Sequence, residues 1–116
     1  MRILCCGDRY WNKAGLITQV LLEHVKAGDV VVHGMAKGAD TLAGKIAEGM
    51  EGVTVEGYPA DWVRYKKAAG PIRNQQMLDS SIDLVLAFHE NLEQSRGTKH
   101  MVTIARKAGI PVKVFP

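Results

Sequence analysis

Five short apolar runs alternate with four amphipathic stretches along this chain, and that alternation constrains the fold more than any other feature. The runs are Arg2–Cys6, Asp29–His33, Val53–Tyr58, Asp83–Phe88 and Ile110–Phe115. Each is five or six residues long, rich in Val, Ile, Leu or Phe, and bounded by Gly, Pro or Asp, as buried strands are. Between them, Lys13–Lys26 sets Leu16, Ile17, Val20, Leu21 and Val25 on one helical face. Ala39–Glu48 does the same with Leu42, Ala43, Ile46 and Ala47. Asp61–Ser80 reads as mainly helical with a break at Gly70-Pro71, and Thr98–Lys107 as a helix stopped by Gly109. Strands that are apolar throughout need cover on both faces, and helices between successive strands supply it. The expected fold is α/β: one Rossmann-like, three-layer domain over residues 1–116, with a five-stranded parallel sheet. Right-handed crossovers favour the strand order 3-2-1-4-5.

A chain of 116 residues is long enough for one such core and leaves little for a second. No apolar run approaches the ~20 residues of a membrane span, and the start lacks a secretory core, so a cytoplasmic location is expected. Lys and Arg total 15 against 12 Asp and Glu, a net charge of +3. That excess suits an anionic small ligand or a weak nucleic-acid contact. Cys5 and Cys6 are adjacent in a strand and point to opposite faces, so they read as buried free thiols rather than a disulfide. His24, His33, His89 and His100 have no ligand spacing, and no metal is expected.

In an open parallel sheet, ligands bind beyond the carboxyl ends of the strands, where the strand order reverses. Here that places the crevice between strands 1 and 4. The segments that would meet there are unusually rich in glycine, charge and aromatic rings. They include Gly7-Asp8-Arg9-Tyr10-Trp11, the stretch from His33 through Gly34 and Gly38 to Asp40, Tyr58 through Asp61 to Trp62, and His89 through Gly97-Thr98. Six of the seven aromatic residues lie at or just past strand ends. Gly34 and Gly38 precede one helix and Gly97 precedes another, with Thr98 as its expected N-cap; both loops have the form of anion cradles. The run GDRYWN after the first strand is not a dinucleotide fingerprint, and no P-loop is present, so no cofactor is expected. Arg9 and Arg73 could grip a phosphate. Asn74 could read a base or ribose, and Tyr10, Trp11 or Trp62 could stack on a base. Asp61 reads first as a helix N-cap and second as a general base or ribose ligand. His33 reads equally as a ligand contact or a support, while Asp40 reads as a helix-dipole residue. Pro71 suits the first position of the helix carrying Arg73.

Together GDRYW, HGMAKGAD, YPADW, AGPIRNQQML and RGTKHMV…AGIPV resemble the SLOG superfamily, nearest its YspA-like, cpYpsA-related branch. The resemblance spans about Leu4 to Phe115. It implies a compact Rossmann-like sheet, a bacterial or phage source, and binding of a nucleotide or nucleotide-derived ligand, as a sensor or sequestering module. More distant LOG enzymes cleave the N-glycosidic bond of nucleoside monophosphates with an Arg and a PGGxGTxxE motif. Arg73 matches that arginine by context and Arg96-Gly97-Thr98 matches the glycine-threonine segment, but the glutamate falls on Met101. A phosphoribohydrolase would then need Asp61 or Glu90 in its place, so Arg73 and Asp61 are the catalytic candidates of that alternative. DprA, another distant relative, binds single-stranded DNA; here the basic residues are spread along the chain, with no run interleaving cations and aromatics outside the proposed cleft. Strands 3 and 5 would be free edges, which leaves room for a homodimer.

Overall fold

The computed structural model describes residues 1–116. One sheet of five parallel strands has the order β3-β2-β1-β4-β5, the order expected from the sequence. Its strands are β1 (Arg2–Gly7), β2 (Val30–His33), β3 (Thr54–Gly57), β4 (Leu84–Phe88) and β5 (Val112–Phe115). The helices are α1 (Ala14–His24), α2 (Ala39–Glu48), the single turn α3 (Trp62–Tyr65), α4 (Ala69–Asp79) and α5 (Gly97–Lys107). Short 3-10 turns cover Lys66–Ala68 and Leu92–Gln94. No helix is long and apolar enough to cross a membrane.

Because neighbouring strand residues face opposite ways, β1 feeds two cores. Ile3 and Cys5 enter one with Val31, Leu86, Phe88, Ile17, Leu21 and Ala43, under α1 and α2. Leu4 and Cys6 enter the other with Val32, Val85, Met77, Met101 and Val102, under α4 and α5. Both cysteines are free and buried, and burial pushes both thiols well above their ordinary range. The buried face of α2 is made of small residues, Ala39, Ala43, Gly44 and Ala47. A helix with so little side chain on that face lies close to the sheet, and the His33 ring sits where a Cβ on Gly44 would be.

Two local expectations need correction. The break in the third helical stretch is not at Gly70-Pro71: α4 runs through both, with Pro71 third rather than first. An N–H is not required in the first turn, so proline is tolerated there. The chain breaks instead at Lys66, whose φ is 52° and ψ −128°. Nor is Thr98 an N-cap; α5 already begins at Gly97, and the Ser95 hydroxyl accepts from the Thr98 amide at 3.0 Å. The glycine stop of that helix holds, with Gly109 at φ 78°.

The crevice expected between β1 and β4 is closed tightly by backbone at the ends of those strands. A Cβ on Gly7 would lie 2.3 Å from the Phe88 carbonyl oxygen and 2.7 Å from the Ala39 Cβ. Gly38, at φ 77°, has the Asp8 carbonyl oxygen 2.3 Å from its would-be Cβ. The Asp8 amide donates to the Phe88 carbonyl at 2.8 Å, and the Ala39 amide to the Asp8 carbonyl at 3.1 Å. Gly38→Ala therefore combines a left-handed backbone with a backbone clash. It is expected to cost about 3 kcal/mol or more, read as a lower urea midpoint at unchanged m. A midpoint equal to wild type contradicts this packing.

Candidate functional site

The segments after β1 and β2 and the amino ends of α4 and α5 are linked through three side chains, Asp40, Arg73 and Asn74. Asp40 stands in the first turn of α2 and is only 4% exposed. One of its carboxylate oxygens accepts from the Gly34 amide at 2.8 Å. Burial raises its pKa to about 6, opposed by the amides of Gly34, Ala36 and Gly7 and by the Arg73 charge. The loop whose amides the sequence offers to a phosphate is thus already turned toward an internal anion. Asp40 does more than complement a helix dipole.

Arg73, on α4, reaches back to the loop after β2, where its Nη1 donates to the Gly34 carbonyl. Its Nε donates to Asn74 Oδ1 at 3.0 Å. The guanidinium pKa is lowered by burial, partly offset by the charge of Asp40. Asn74 is 3% exposed. Its amide nitrogen lies 3.3 Å from the Gly97 carbonyl and 3.0 Å from His100 Nδ1. Asn74 therefore ties α4 to α5, leaving that amide no capacity to read a base edge. The chain of contacts runs from Asp40 through Gly34, Arg73 and Asn74 to Gly97.

Two hollows flank this chain. One, of about 190 Å³, is bounded by Asp61, Arg64, Tyr65, Ile72, Arg73 and Gln76. Asp61 caps α3, accepting from the Arg64 amide at 3.0 Å, so its N-cap reading holds while its carboxylate also walls the hollow. The other, of about 380 Å³, lies between Arg9, Tyr10, Asn12, Gly38 and Thr41. Arg9 stands over the Tyr10 ring, 5.5 Å from its centroid.

Other expected site residues sit elsewhere. Trp11 is buried against Phe88, ring centroids 5.8 Å apart, so it is a core residue whose edge reaches the second hollow. Phe88 in turn stacks on Phe115 at 5.4 Å. The gathering of aromatics at strand ends thus serves the core in part. His33 Nδ1 accepts from the Met35 amide at 3.1 Å, and its ring packs on Gly44, which makes it a support. Its pKa is lowered by burial. Gly7 is too tightly enclosed to contact a ligand through its Cα face. Gly97 is exposed with open space beside it, whereas Thr98 is buried and its amide is held by Ser95. Trp62 stands on an outer corner, 57% exposed, with its ring edge near Gly70. Met101 is buried beneath α5, so that position faces the core rather than the cleft. Glu90 pairs with Lys13 at 2.8 Å. No three His, Cys, Asp or Glu side chains gather closely enough to hold a metal ion.

Sequence reading missed Arg64, Tyr65 and Gln76, which line the first hollow. It also missed the depth of Asp40. The available signal for Asp40 was its place beside the small-residue face of α2, which brings that helix's first turn under the loop after β2.

A family model described as YAcAr: YspA, cpYpsA-related SLOG family matches residues 1–65. The chain is also similar to the Gene 61 protein of Mycobacterium phage D29, with 42% identity over 121 aligned positions that cover 98% of this chain and 95% of that protein.

Asp40 generates a pH prediction. Its native pKa lies above the unfolded value of 3.8, so the native state holds the proton more tightly. Its contribution to stability is then greatest below about pH 4 and declines as pH rises toward and through about 6, by about 3 kcal/mol in all. Chemical denaturation of wild type and Asp40→Asn at matched pH isolates this group. The difference in unfolding free energy, wild type minus variant, should fall from pH 4 to pH 7. A flat difference would mean that Asp40 is not a desolvated carboxyl.

Proposed function

The chain belongs to the YspA, cpYpsA-related SLOG family, and from that membership we propose that its carboxyl-edge cleft binds a nucleotide or nucleotide-derived phosphorylated ligand. The observation that carries this reading is the position of Arg73. A half-buried guanidinium is held at the sheet edge by Gly34 and Asn74 and borders a hollow that Arg64 also lines. Burial strengthens its attraction for an anion, because less water screens the charge. Two arginines on one small hollow make a phosphate clamp. Asp61 and Gln76 supply an acceptor and an amide for ribose hydroxyls, and Tyr65 an aromatic wall. At about 190 Å³ the hollow is smaller than the roughly 300–1,000 Å³ that holds a drug-sized ligand. It accommodates the phosphate end, and the rest of the nucleotide extends along the edge toward Gly97.

A binding module, sensing or sequestering its ligand, fits these residues better than a phosphoribohydrolase. Met101, where the glutamate of LOG enzymes would fall, is in the core, and Glu90 is paired with Lys13. Asp61 is the one carboxylate on the hollow and already caps α3.

Calorimetry against nucleoside mono-, di- and triphosphates, ribose 5-phosphate and unphosphorylated nucleosides tests the proposal. At least one phosphorylated member should bind tighter than about 1 mM, near −4 kcal/mol, and its nucleoside should not. Arg73→Ala should weaken that binding tenfold to a hundredfold, about 1.5–3 kcal/mol for a charge-assisted contact. Arg64→Ala, on an exposed turn, should weaken it without altering the fold. If nothing in the panel binds, the proposal is wrong.

A further inference from the structure

The polar chain that runs from Asp40 to α5 ends in a titratable ring. His100 stands in the first turn of α5 and is half-buried. Its ring makes one hydrogen bond, with Nδ1 lying 3.0 Å from the Asn74 amide nitrogen. The orientation of Asn74 is fixed from its other side. Its Oδ1 accepts from Arg73 Nε at 3.0 Å, and a guanidinium can only donate. The amide nitrogen therefore faces α5, with one hydrogen for the Gly97 carbonyl and one for the ring. His100 Nδ1 must then be an acceptor, which places the single proton of the neutral ring on Nε2.

A second proton removes that acceptor. Both nitrogens of an imidazolium donate, so no rotation of the ring restores it. Asn74 cannot turn over either, because its amide nitrogen would then face Arg73 Nε. Either the ring swings away and leaves a buried N–H unpaired, or Asn74 shifts and releases Arg73 Nε. The charged groups around the bridge do not change this. On α4 there is Arg73. On α5 there is Lys99, and just before it Arg96, whose carbonyl accepts from the His100 amide at 3.0 Å. The Leu92–Gln94 turn brings Glu93, paired with Lys99 at 2.8 Å. β1 brings the buried Cys6 thiol and β4 is apolar throughout. Lys113 of β5 meets His24 instead. None of these gives the ring another acceptor or donor.

We propose that His100 is a positioning residue of the cleft: its unprotonated Nδ1 fixes the Asn74 amide, Asn74 fixes the Arg73 guanidinium, and a proton on the ring loosens the grip on phosphate. Anion binding and protonation of His100 then oppose each other, and the cleft loses affinity as pH falls through the titration of the ring. This deepens the nucleotide reading and rests on Arg73 as the group that meets the phosphate.

Side-chain NMR of the full chain, with inorganic sulfate as the probe, tests this. Sulfate keeps its double charge between about pH 5 and about pH 8, the span in which imidazoles titrate, whereas a phosphate does not. Without sulfate, the Asn74 amide and Arg73 Nε–H resonances should move in step with the His100 ring as pH falls. With sulfate, at constant ionic strength, the Arg73 Nε–H resonance reports binding. Between about pH 8 and about pH 5, Kd should rise about threefold to tenfold more in wild type than in His100→Asn. The asparagine oxygen takes the place of Nδ1 and carries no titrating proton. Neutralisation of Asp40 near pH 6 frees Arg73 of an opposing charge and acts in the other direction, but it does so in both proteins and cancels. His100→Leu, with no acceptor, should bind sulfate about threefold to tenfold more weakly than His100→Asn at both pH values. The proposal is overturned if the Asn74 and Arg73 resonances stay fixed while His100 titrates, or if wild type and His100→Asn share one pH dependence. If sulfate up to about 50 mM leaves Arg73 Nε–H unmoved at either pH, Arg73 is no anion site; the cleft reading has then failed, and this proposal falls with it.

Discussion

A buried carboxylate organises the functional edge of this protein. Asp40 is drawn beneath the loop after β2 because α2 carries almost no side-chain bulk on its inner face. A charge there must be satisfied internally, since water is excluded. The amide of Gly34 donates to it directly, and Arg73 supplies the opposing charge from α4. Desolvation still dominates, which is why its proton is held up to about pH 6. Arg73 is held at the same edge by the Gly34 carbonyl and Asn74, rather than free in solvent. The Arg73 contact to Asn74 and the Asn74 contacts to α5 extend the same arrangement across the edge.

This arrangement defines what the edge can do. Amides that could cradle an external anion are turned inward to Asp40, so an incoming phosphate meets side-chain guanidinium groups in their place. The hollow beside Arg73 is therefore an arginine site, with Arg64 contributed by a single turn of helix that sequence periodicity does not single out. Under the proposed reading, any preference for planar, bidentate anions would come from that chemistry more than from backbone geometry. The outer corner has the opposite character. Trp62, Lys66 and Lys67 are exposed, and neither lysine is in an ion pair.

Much of the fold was legible in the sequence, for a specific reason. Strands buried on both faces must be apolar throughout, and DVVVH and DLVLAF could be nothing else once helices with a 3.6-residue period stood on either side. Crossover handedness then limited the topologies, and the favoured order 3-2-1-4-5 is the one observed. The adjacent cysteines were legible as buried free thiols by the same alternation. The helix break was misplaced because Pro71 was read as the first residue of a new helix, although anywhere in the first turn it removes no required hydrogen bond, and it stands third. Lys66, the actual break, carries no local signal, since lysine rarely takes a positive φ.

The candidate site was legible as a region but not as a set of contacts. Residue types at strand ends marked this edge as the candidate site, and Arg73, Asp61, Gly34 and Gly38 all lie on it or frame it. Which polar groups face outward depends on what lies across from them, and that is a long-range property. Asn74 was read as a ligand contact but meets Gly97 and His100. Trp11 was read as a stacking platform but meets Phe88. Asp40 was read as incidental but anchors the loop. The sequence by itself determined the layers and the parallel sheet and narrowed the strand order, because these follow from local periodicity and backbone handedness. Only the tertiary structure decided which charges are enclosed and which are free, because desolvation and pairing depend on neighbours tens of residues away along the chain.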